Sequence, residues 1–473
     1  MNDKNSNESS HSVKFKKATR AQKKGAKEVL RLGQKVFDYR KDLLSAEDLN
    51  KLFSANADLK SALQQKPVNG DLLELKAKEV DQELQKNGGQ YYHKKTWVEN
   101  VEMLLVAAIV VIGIRSFFVQ PFIIPTNSMY PSFSGMQPFV YNEEDETPGF
   151  VGRCFDKVLL GATHFKINAE NSGQLYLKLQ GQMSFRFDDS KFPEGRFFIF
   201  PATVREYVFE VGGKEHVLRV PAEFDLDELI AKKFAGIDNL QDLPLIISQD
   251  QGYPSNRLKL SERQYQKGDL LLAFDILLGD ALFVDRFSYN FVHPKSGDPA
   301  VFRTGTIDDF NRQIGTPVVS QIGEDKYYIK RLVGEPGDIL EMKVPESIFT
   351  NGTDVRKGVP GILYRNGDPV DGVNTFSRNN ARTEELARNP DTIPKDAYPG
   401  YRAEGLLTNR SILKVPTKDD SKNPTGKKAF FALGDNSTDS LDGRAWGFVP
   451  EDEIIGRAFL VYYPFTKRWG LAD

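Results

Sequence analysis

Cysteine and histidine are both scarce in this chain. Cys154 is the only cysteine among 473 residues, which excludes an intramolecular disulfide and a metal site built from several cysteines. The five histidines are His11, His93, His164, His216 and His293. Few residues are therefore available to activate a serine through an imidazole. A phosphate-binding P-loop and a His-Glu-x-x-His zinc helix are both missing from the sequence.

Long apolar runs are also scarce, and the one strong run covers residues 103–119. Its first twelve residues, 103–114, carry no charge but are too few to cross a bilayer. Extension through Arg115 to residue 119 gives seventeen, the lower limit for crossing, and Arg115 can reach the interface with its guanidinium. We predict a single transmembrane helix with its flank at residues 93–119. The polar first residues lack the apolar core of a cleavable signal, and we predict none.

Positive and negative residues nearly balance over the whole chain, but the positive ones are concentrated near its N-terminus. The net charge is −2, yet residues 14–41 hold eleven Lys or Arg against Glu28 and Asp38. Because this basic stretch precedes the apolar run, the positive-inside rule places the N-terminus in the cytoplasm and the later residues outside. The stretch fits attraction to an anionic membrane face or to nucleic acid, and it also fits a solvated helix face, which is the commoner case. We expect no nucleic-acid partner.

Residues 1–92 have a helical pattern. Val29, Leu32 and Val36 recur at steps of three and four residues. Ser45 and Asp48 form a capping pattern for a helix that reaches about residue 65. A third helix is expected over residues 71–85, before a pair of glycines. The pattern predicts an α-helical cytoplasmic region over residues 1–92.

Short alternating runs of polar and apolar residues dominate after residue 133. Within residues 134–278 they lie at 174–179, 183–187, 196–200, 207–211 and 216–220, and they predict antiparallel strands. Further strand patterns lie at 270–274, 281–287, 299–302, 327–333, 339–344, 429–433 and 454–463. The tract 345–428 is polar and rich in proline and glycine, and Arg365-Asn-Gly-Asp368 signals a hairpin turn. The chain after residue 133 is therefore predicted to be mainly β.

Ser128 is the first candidate for chemistry. It lies in Pro125-Thr-Asn-Ser-Met-Tyr-Pro131, shortly after the apolar run. The two prolines favour a stiff, extended and non-helical backbone around it. Such a segment holds a hydroxyl and its own N–H in fixed directions, which suits a nucleophile. The Gly-x-Ser-x-Gly elbow of α/β-hydrolases does not surround it.

A nucleophilic serine needs a base. His11 and His93 fall on the predicted cytoplasmic side, which leaves His164, His216 and His293 as histidine candidates and Lys330 as the other option. His293 lies in a turn before a strand. Lys330 lies inside the strand pattern at 327–333, where an outward lysine is ordinary. If Lys330 instead points into the core, desolvation lowers its pKa from about 10.4 by ~3–5 units and provides a neutral amine. On spacing alone, a solvated lysine is favoured.

Two further patterns have weaker support. Ser411-Ile-Leu-Lys414 fits Ser-x-x-Lys, but the partner motifs of serine β-lactamases are missing. Residues 433–450 are rich in Asp, Asn, Ser and Gly, which is typical of a surface turn. A calcium loop beginning at Asp435 is a weak alternative, because Ser440 stands where an EF-hand needs glycine and Trp446 where it needs glutamate.

Taken together and in this order after an apolar helix, these segments resemble the type I signal peptidase (leader peptidase) family. The similar segments are Pro125-Thr-Asn-Ser-Met-Tyr-Pro131 and residues 279–302, 328–338, 363–370 and 434–450. The resemblance covers the membrane helix, 120–133, 279–342, 361–370 and 429–464, but not 1–92 or most of 134–278. Glu335 and Gly443 depart from the family pattern, and the gap after the serine segment is unusually long.

The resemblance implies the site residues and their roles. They are Ser128 and Lys330 as the catalytic pair, Ser128 N–H and the Thr126 hydroxyl as oxyanion donors, Ser440 as the lysine-orienting residue, and Asp442 and Arg444 as a supporting ion pair. The family's reaction is peptide hydrolysis by serine and lysine, for which no metal and no organic cofactor are implied.

The resemblance also implies a fold and a setting. The expected fold is a mainly β catalytic domain of signal-peptidase type, with a transmembrane helix and an α-helical N-terminal region. Its core would be residues 120–133, 279–342 and 429–464, with a large β-rich insertion at 134–278 and a smaller one at 343–428 that includes the hairpin.

The implied function is removal of signal peptides from exported preproteins at the outer face of the bacterial plasma membrane. Small side chains such as alanine are expected at the first and third positions before the cut. Partners would be preproteins and membrane lipid, with Phe117, Phe118, Phe122 and Ile123 resting on the bilayer. The oligomeric state is not indicated.

Two other functions use the same segments differently. A self-cleaving repressor-type peptidase shares the serine and lysine segments, but the apolar helix and residues 434–450 argue against it. An inactive, membrane-anchored binding scaffold would use the β-rich insertion to hold a partner. A scaffold has no chemical reason to keep Ser128, Lys330, Thr126 and Ser440 together.

Overall fold

The structure is a computed structural model of the chain. It describes residues 17–92, 96–143, 146–179, 186–188, 196–197, 200–201, 203–237, 240–243, 245–250, 253–350, 359–389 and 400–472. The chain divides into two compact units, Met1–Ile112 and Gly113–Asp473. The expected strands at 183–187 and 196–200 lie partly outside the described residues, as do His11 and His93.

The described α-helices are α1 Arg20–Arg40, α2 Ala46–Gln64, α3 Gly70–Asn87, α4 Thr96–Phe117, α5 Phe150–Leu160, α6 Leu226–Ala235, α7 Ile307–Gln313, α8 Glu346–Thr350, α9 Asn374–Arg388 and α10 Gly443–Trp446. The first twelve described strands are β1 Val119–Ile123, β2 Gln137–Tyr141, β3 Thr163–Asn168, β4 Gly173–Leu179, β5 Arg186–Asp188, β6 Arg196–Phe197, β7 Phe200–Pro201, β8 Val204–Val211, β9 Lys214–Pro221, β10 Leu245–Asp250, β11 Tyr253–Tyr265 and β12 Leu270–Leu277. The later ones are β13 Ala281–Asp285, β14 Pro299–Arg303, β15 Tyr327–Gly334, β16 Ile339–Lys343, β17 Val359–Arg365, β18 Asp368–Pro369, β19 Tyr401–Ala403, β20 Ile412–Lys414, β21 Ala429–Leu433, β22 Val449–Pro450, β23 Ile454–Tyr463 and β24 Gly470–Leu471.

The first unit contains α1, α2 and α3, so the prediction of helices in the N-terminal region is confirmed. Each helix begins at a side chain that accepts hydrogen bonds from free backbone N–H groups, namely Thr19, Ser45 and Asn69. The three helices pack around a common apolar core that includes Leu59 and Val80. Their boundaries follow from caps that the sequence already shows.

Helix α4 is long and apolar enough over Asn100–Phe117 to cross a membrane, and none of that stretch is buried. The helix ends at Phe117, two residues before the predicted end of the span at residue 119. The difference arises because Val119 is already in strand β1, where it pairs with Asp285 of β13. Because β1 also begins with an apolar residue, the apolar run in the sequence continues past the end of the helix.

The second unit is built on an eight-stranded antiparallel sheet in the order β1-β13-β23-β14-β15-β21-β22, with β24 beside β23. The expected core segments 120–133, 279–342 and 429–464 all contribute strands to it. One strand of those segments, β16, lies in a different sheet. It pairs with β17 and β20, because the turn before it redirects the chain after Gly334.

Residues 134–278 form two further sheets. One is three-stranded in the order β2-β12-β3, and the other has the order β10-β11-β4-β8-β5 with β9 beside β8. The prediction of a β-rich region is confirmed. Two helices in it, α5 and α6, were not predicted, because each is short and lies between stronger strand patterns.

Residues 343–428 contribute a sheet in the order β18-β17-β16-β20, with β19 beside β17. Strands β17 and β18 are joined by a hairpin in which Asn366 and Gly367 have positive φ, at 55° and 97°. That backbone is the one that an Asn-Gly turn favours. Helix α9 lies in the same region and was not predicted, because the tract is polar and rich in proline and glycine.

Candidate active site

The segment that carries Ser128 is held at both ends by Asp280. The backbone N–H of Ile124 donates to the Asp280 carbonyl at 2.9 Å, and the Asp280 N–H donates to the Ser134 carbonyl at 2.8 Å. The Asp280 carboxylate also accepts the Ser134 N–H at 2.7 Å and is paired with Arg468. Asp280 is fully buried. Residues 124–134 therefore form a closed loop on the edge of the main sheet.

Ser128 lies in a single 3₁₀ turn, Asn127–Met129, and is 6% exposed. The sequence had predicted an extended, non-helical backbone here. That prediction is right for Thr126 and Tyr130, which flank the turn with extended φ and ψ, and wrong for Ser128 itself. The prolines restrict their own neighbours, and the residues between them are free to close a turn, in which the Tyr130 N–H donates to the Asn127 carbonyl at 2.9 Å.

Asn436 fixes this turn from the other side. Its backbone N–H donates to the Ser128 carbonyl at 3.0 Å, and its side-chain amide donates to the Asn127 carbonyl at 3.1 Å. The Asn127 side chain accepts hydrogen bonds from the Gly135 N–H and from Gln137. The serine turn is thus bound to the loop after β21 as well as to its own segment.

Lys330 comes from the middle of β15, where it lies opposite Ala300 of β14. Its Nζ donates a hydrogen bond to Ser128 Oγ at 2.5 Å, across 202 residues of sequence. Lys330 is 5% exposed, and burial lowers its pKa to about 8, although the charges of Asp442 and Asp435 oppose the shift. A lysine with this pKa is partly neutral near physiological pH, and a neutral amine can accept a proton.

Arg331, next to Lys330, points to the opposite face of β15 and makes a buried ion pair. Its Nε and Nη2 donate to the two oxygens of Asp435 at 2.8 and 2.7 Å, and its Nη1 donates to the Gly297 carbonyl at 2.7 Å. Both side chains of the pair are fully buried. The sequence analysis missed this pair. A signal was present, because two adjacent charged residues in a buried strand place one side chain on each face.

Asp442 and Arg444 form a second buried ion pair, at 2.8 Å. The Asp442 carboxylate also accepts the Gly434 N–H at 3.0 Å. Burial alone would raise the pKa of Asp442, but the charge and hydrogen bonds of Arg444 outweigh it and lower that pKa. Arg444 further donates to Glu404 and to Ser437, two residues that the sequence did not indicate. This network orders the loop beneath Lys330.

Neither Ser440 nor Thr126 forms a side-chain hydrogen bond with Lys330 or Ser128 in the described part of the chain. Ser440 Oγ is buried and has no hydrogen-bond partner in the described part of the chain. The predicted hydrogen bond between Ser440 and Lys330 is not formed among the described residues, where Lys330 Nζ donates to Ser128 Oγ. Thr126 is exposed at the start of the serine turn. The roles of both residues stay predictions.

The other candidates are engaged elsewhere. The exposed His293 lies 3.7 Å from Glu451, and His164 pairs with Asp275 within residues 134–278. Asp435 is taken by Arg331, and within the described ranges no group of acidic, His or Cys side chains could hold a metal ion. Ser411 and Lys414 are bound separately, to backbone carbonyls and to Asp420.

The family model for "Signal peptidase, peptidase S26" matches residues 274–463, a range that contains Lys330 and residues 434–450 but not Ser128. Signal peptidase I of Buchnera aphidicola subsp. Baizongia pistaciae (strain Bp) is 28% identical over 220 residues, 41% of this chain and 67% of that protein. Over this range the chain is similar to the type I signal peptidase family. The similarity supports a serine protease, and the matched residues lie within the β-rich unit.

Two further relatives have the same name in other bacteria. A probable signal peptidase I-1 of Synechocystis sp. (strain ATCC 27184 / PCC 6803 / Kazusa) is 27% identical over 217 residues, 45% of this chain and 76% of that one. Signal peptidase I of Pseudomonas fluorescens is 29% identical over 221 residues, 43% and 65% of the two chains. A solved signal peptidase I from Enterococcus faecalis V583 aligns with 35% of this chain and 97% of its own at 18% identity and a TM-score of 0.19, too low for a comparison of folds.

Gly434 offers a test of how tightly the site is packed. A Cβ at this position would lie 2.1 Å from Ser440 Oγ and 2.5 Å from the Ser128 carbonyl. We expect Gly434→Ala to displace the serine turn from Lys330 and to lower proteolytic kcat/KM by about 100-fold, since small misplacements of reacting groups cost that much.

The matched control is Gly149→Ala, because a Cβ there meets no atom within 4 Å. Thermal unfolding in detergent is recorded for both variants. Full activity of Gly434→Ala, with a melting temperature like that of the control, would contradict the tight packing.

Proposed function

We propose that this chain removes N-terminal signal peptides from exported preproteins, with Ser128 and Lys330 as its catalytic pair. The observation that carries the proposal is the 2.5 Å contact between Lys330 Nζ and Ser128 Oγ, made between two buried side chains. A lysine placed on a serine hydroxyl with a lowered pKa is suited to general-base activation of that serine. The similarity to signal peptidases supports a serine protease with preprotein substrates.

In the proposed reaction, the neutral Lys330 amine accepts the proton of Ser128 as Oγ attacks the scissile carbonyl carbon. The contact seen in the structure is then reversed, with Ser128 Oγ–H as the donor. The resulting ammonium group protonates the leaving amine, which leaves an ester on Ser128. Lys330, neutral again, takes a proton from water as the water oxygen attacks the ester carbonyl carbon. The ammonium then returns that proton to Ser128 Oγ as the bond to the signal peptide breaks.

The developing oxyanion would be bound by the Ser128 N–H and the Thr126 hydroxyl. Thr126 is exposed beside the turn, where a substrate carbonyl can approach it. Removal of one such donor typically costs ~2.7–4 kcal/mol of transition-state stabilisation. Ser440 would orient Lys330 during the reaction. Its buried hydroxyl lies beside Gly434 and has no hydrogen-bond partner among the described residues, which favours that role.

The proposed setting is the bacterial plasma membrane. Helix α4 supplies a single span, and the exposed basic side chains of α1, which precede it, favour a cytoplasmic N-terminus. The catalytic unit would then lie outside, beside the outer face of the bilayer. A preprotein whose signal peptide lies in the same membrane would reach Ser128 already tethered, and small side chains such as alanine would precede the cut.

The direct test is cleavage of a model preprotein by the full chain in lipid vesicles. We expect Ser128→Ala and Lys330→Met each to fall below about 1% of the parent rate, since loss of an acid–base group typically costs ~10²–10⁴-fold. Lys326→Met is the matched control, because Lys326 is exposed and pairs with Glu324 just before the same strand. Normal cleavage by Lys330→Met would exclude Lys330 as the base.

The pKa of Lys330 sets a pH dependence. A base works only when deprotonated, and the lowered pKa of about 8 means that the active amine accumulates as pH rises through that value. We expect kcat/KM to rise about tenfold per pH unit below pH 8 and to level off above it. The profile is measured with a substrate that has no titratable group near the cut. A flat profile from pH 6 to 9, with the protein folded throughout, would contradict a lysine base.

A further inference from the structure

Helix α5, Phe150–Leu160, is amphipathic, but its apolar face is exposed instead of packed in a core. Its large apolar side chains Phe150, Val151, Phe155, Val158 and Leu159 recur at helical spacing and share one face. All of them are exposed, and Phe150, Phe155 and Val158 are 82%, 61% and 67% exposed. The half-buried side chains of the helix lie on the opposite face. The apolar face is therefore turned away from the protein.

Helix α6, in the same region, shows the ordinary arrangement. It has similar length, yet Leu226, Leu229 and Ile230 on its apolar face are buried in the core of the β-rich region. The exposure of its apolar face thus distinguishes α5 from α6, a helix of similar length in the same region. Contiguous exposed apolar surface of this kind marks an interaction site.

The helix is firmly attached despite its exposure. Tyr463 Oη donates hydrogen bonds to the carbonyls of Lys157 and Val158 at 3.0 Å, and the Phe465 N–H donates to the Leu159 carbonyl at 3.2 Å. Gly161 ends the helix in the left-handed conformation and packs against Leu278. The apolar face is held in one direction by these contacts.

Helix α5 lies near the strand that follows the membrane helix. Tyr463 pairs with Ala281, and Ala281 pairs with Ile123 at the end of β1, whose first residue comes two positions after Phe117. Ile123 is itself exposed, as are Phe465, Trp469 and Leu471 in the segment that holds α5. Other exposed apolar side chains of the same unit therefore lie on segments that are hydrogen-bonded to α5 or joined through paired strands to one that is.

We propose that α5 is an interfacial membrane helix, which lies along the bilayer surface with Phe150, Phe155 and Val158 in the lipid. This rests on the membrane setting proposed above. Eleven residues span only about 16 Å of helix, too short to cross a bilayer core of ~30 Å. Arg153 and Lys157 border the apolar face, as basic residues do in helices that lie at an anionic membrane surface.

The only cysteine of the chain makes the test possible without a new attachment site. Cys154 is exposed and lies on the apolar face of α5, one helical turn from Phe150 and Val158. The full chain, in vesicles of phosphatidylglycerol and phosphatidylethanolamine, is labelled at Cys154 with an environment-sensitive fluorophore. The matched control carries Cys154→Ser and Val217→Cys, which moves the label to an exposed site on β9.

We expect emission from Cys154 to shift to the blue, and nitroxide-labelled lipids to quench it at a depth of about 5–10 Å. The Val217→Cys label is expected to respond only to aqueous iodide. A second variant, Phe155→Ser with Val158→Ser, should lose most of the lipid quenching while cleavage of a short soluble peptide is unchanged. Iodide quenching at Cys154 equal to that of the control would overturn the proposal.

Protection from both iodide and lipid quenchers would also overturn it, since α5 would then be covered by protein. The same vesicles are assayed for preprotein cleavage, and the quenching is repeated in Ser128→Ala. Loss of cleavage with quenching retained would count against the proposed function alone. Normal cleavage without lipid quenching would count against the role of α5 alone.

Discussion

The site depends on the buried amine of Lys330, which makes no ion pair with a carboxylate among the described residues. Asp435 and Asp442 both lie near enough to Lys330 to raise its pKa, yet burial prevails and the pKa is about 8. Each of these carboxylates is bound by an arginine, Asp435 by Arg331 and Asp442 by Arg444. The two arginines therefore do more than order loops. They neutralise negative charge that would otherwise favour the protonated form of Lys330.

The fold brings this amine to its serine by combining distant segments. Lys330 is fixed in the middle of β15, between β14 and β21, so its position is set by backbone hydrogen bonds on both sides. Ser128 lies on a loop that Asp280 closes and Asn436 holds. Gly434 leaves no room between that loop and Ser440. Rigid elements therefore determine the distance between Oγ and Nζ, as acid–base chemistry requires.

The large additions to this core are attached at its edges. Residues 134–278 form their own apolar core, and residues 343–428 share a second one with β15, β16 and β21. Neither interrupts β15, which carries Lys330, or β21, which Asp435 follows by two residues. The outward apolar face of α5 lies in the first of these additions.

Most strands could be predicted from the sequence, because alternating side chains and Gly or Pro breaks are local signals. Ser128 and Lys330 were singled out by their local setting and joined through the family resemblance. The ion pair between Arg331 and Asp435 was missed because it links residues 104 positions apart. Helix α5 was missed for another reason. It is short and lies between stronger strand patterns, and only the structure shows that its apolar face points outward.

The central claim is that the Lys330 amine activates Ser128, and covalent labelling of Ser128 tests it most directly. The full chain in detergent is treated with an acylating serine inhibitor, and the modified peptide is identified by mass spectrometry. The account predicts an adduct on Ser128 in the parent and almost none in Lys330→Met, with both proteins folded. Equal labelling in Lys330→Met would contradict it, and no labelling in the parent would favour an inactive scaffold.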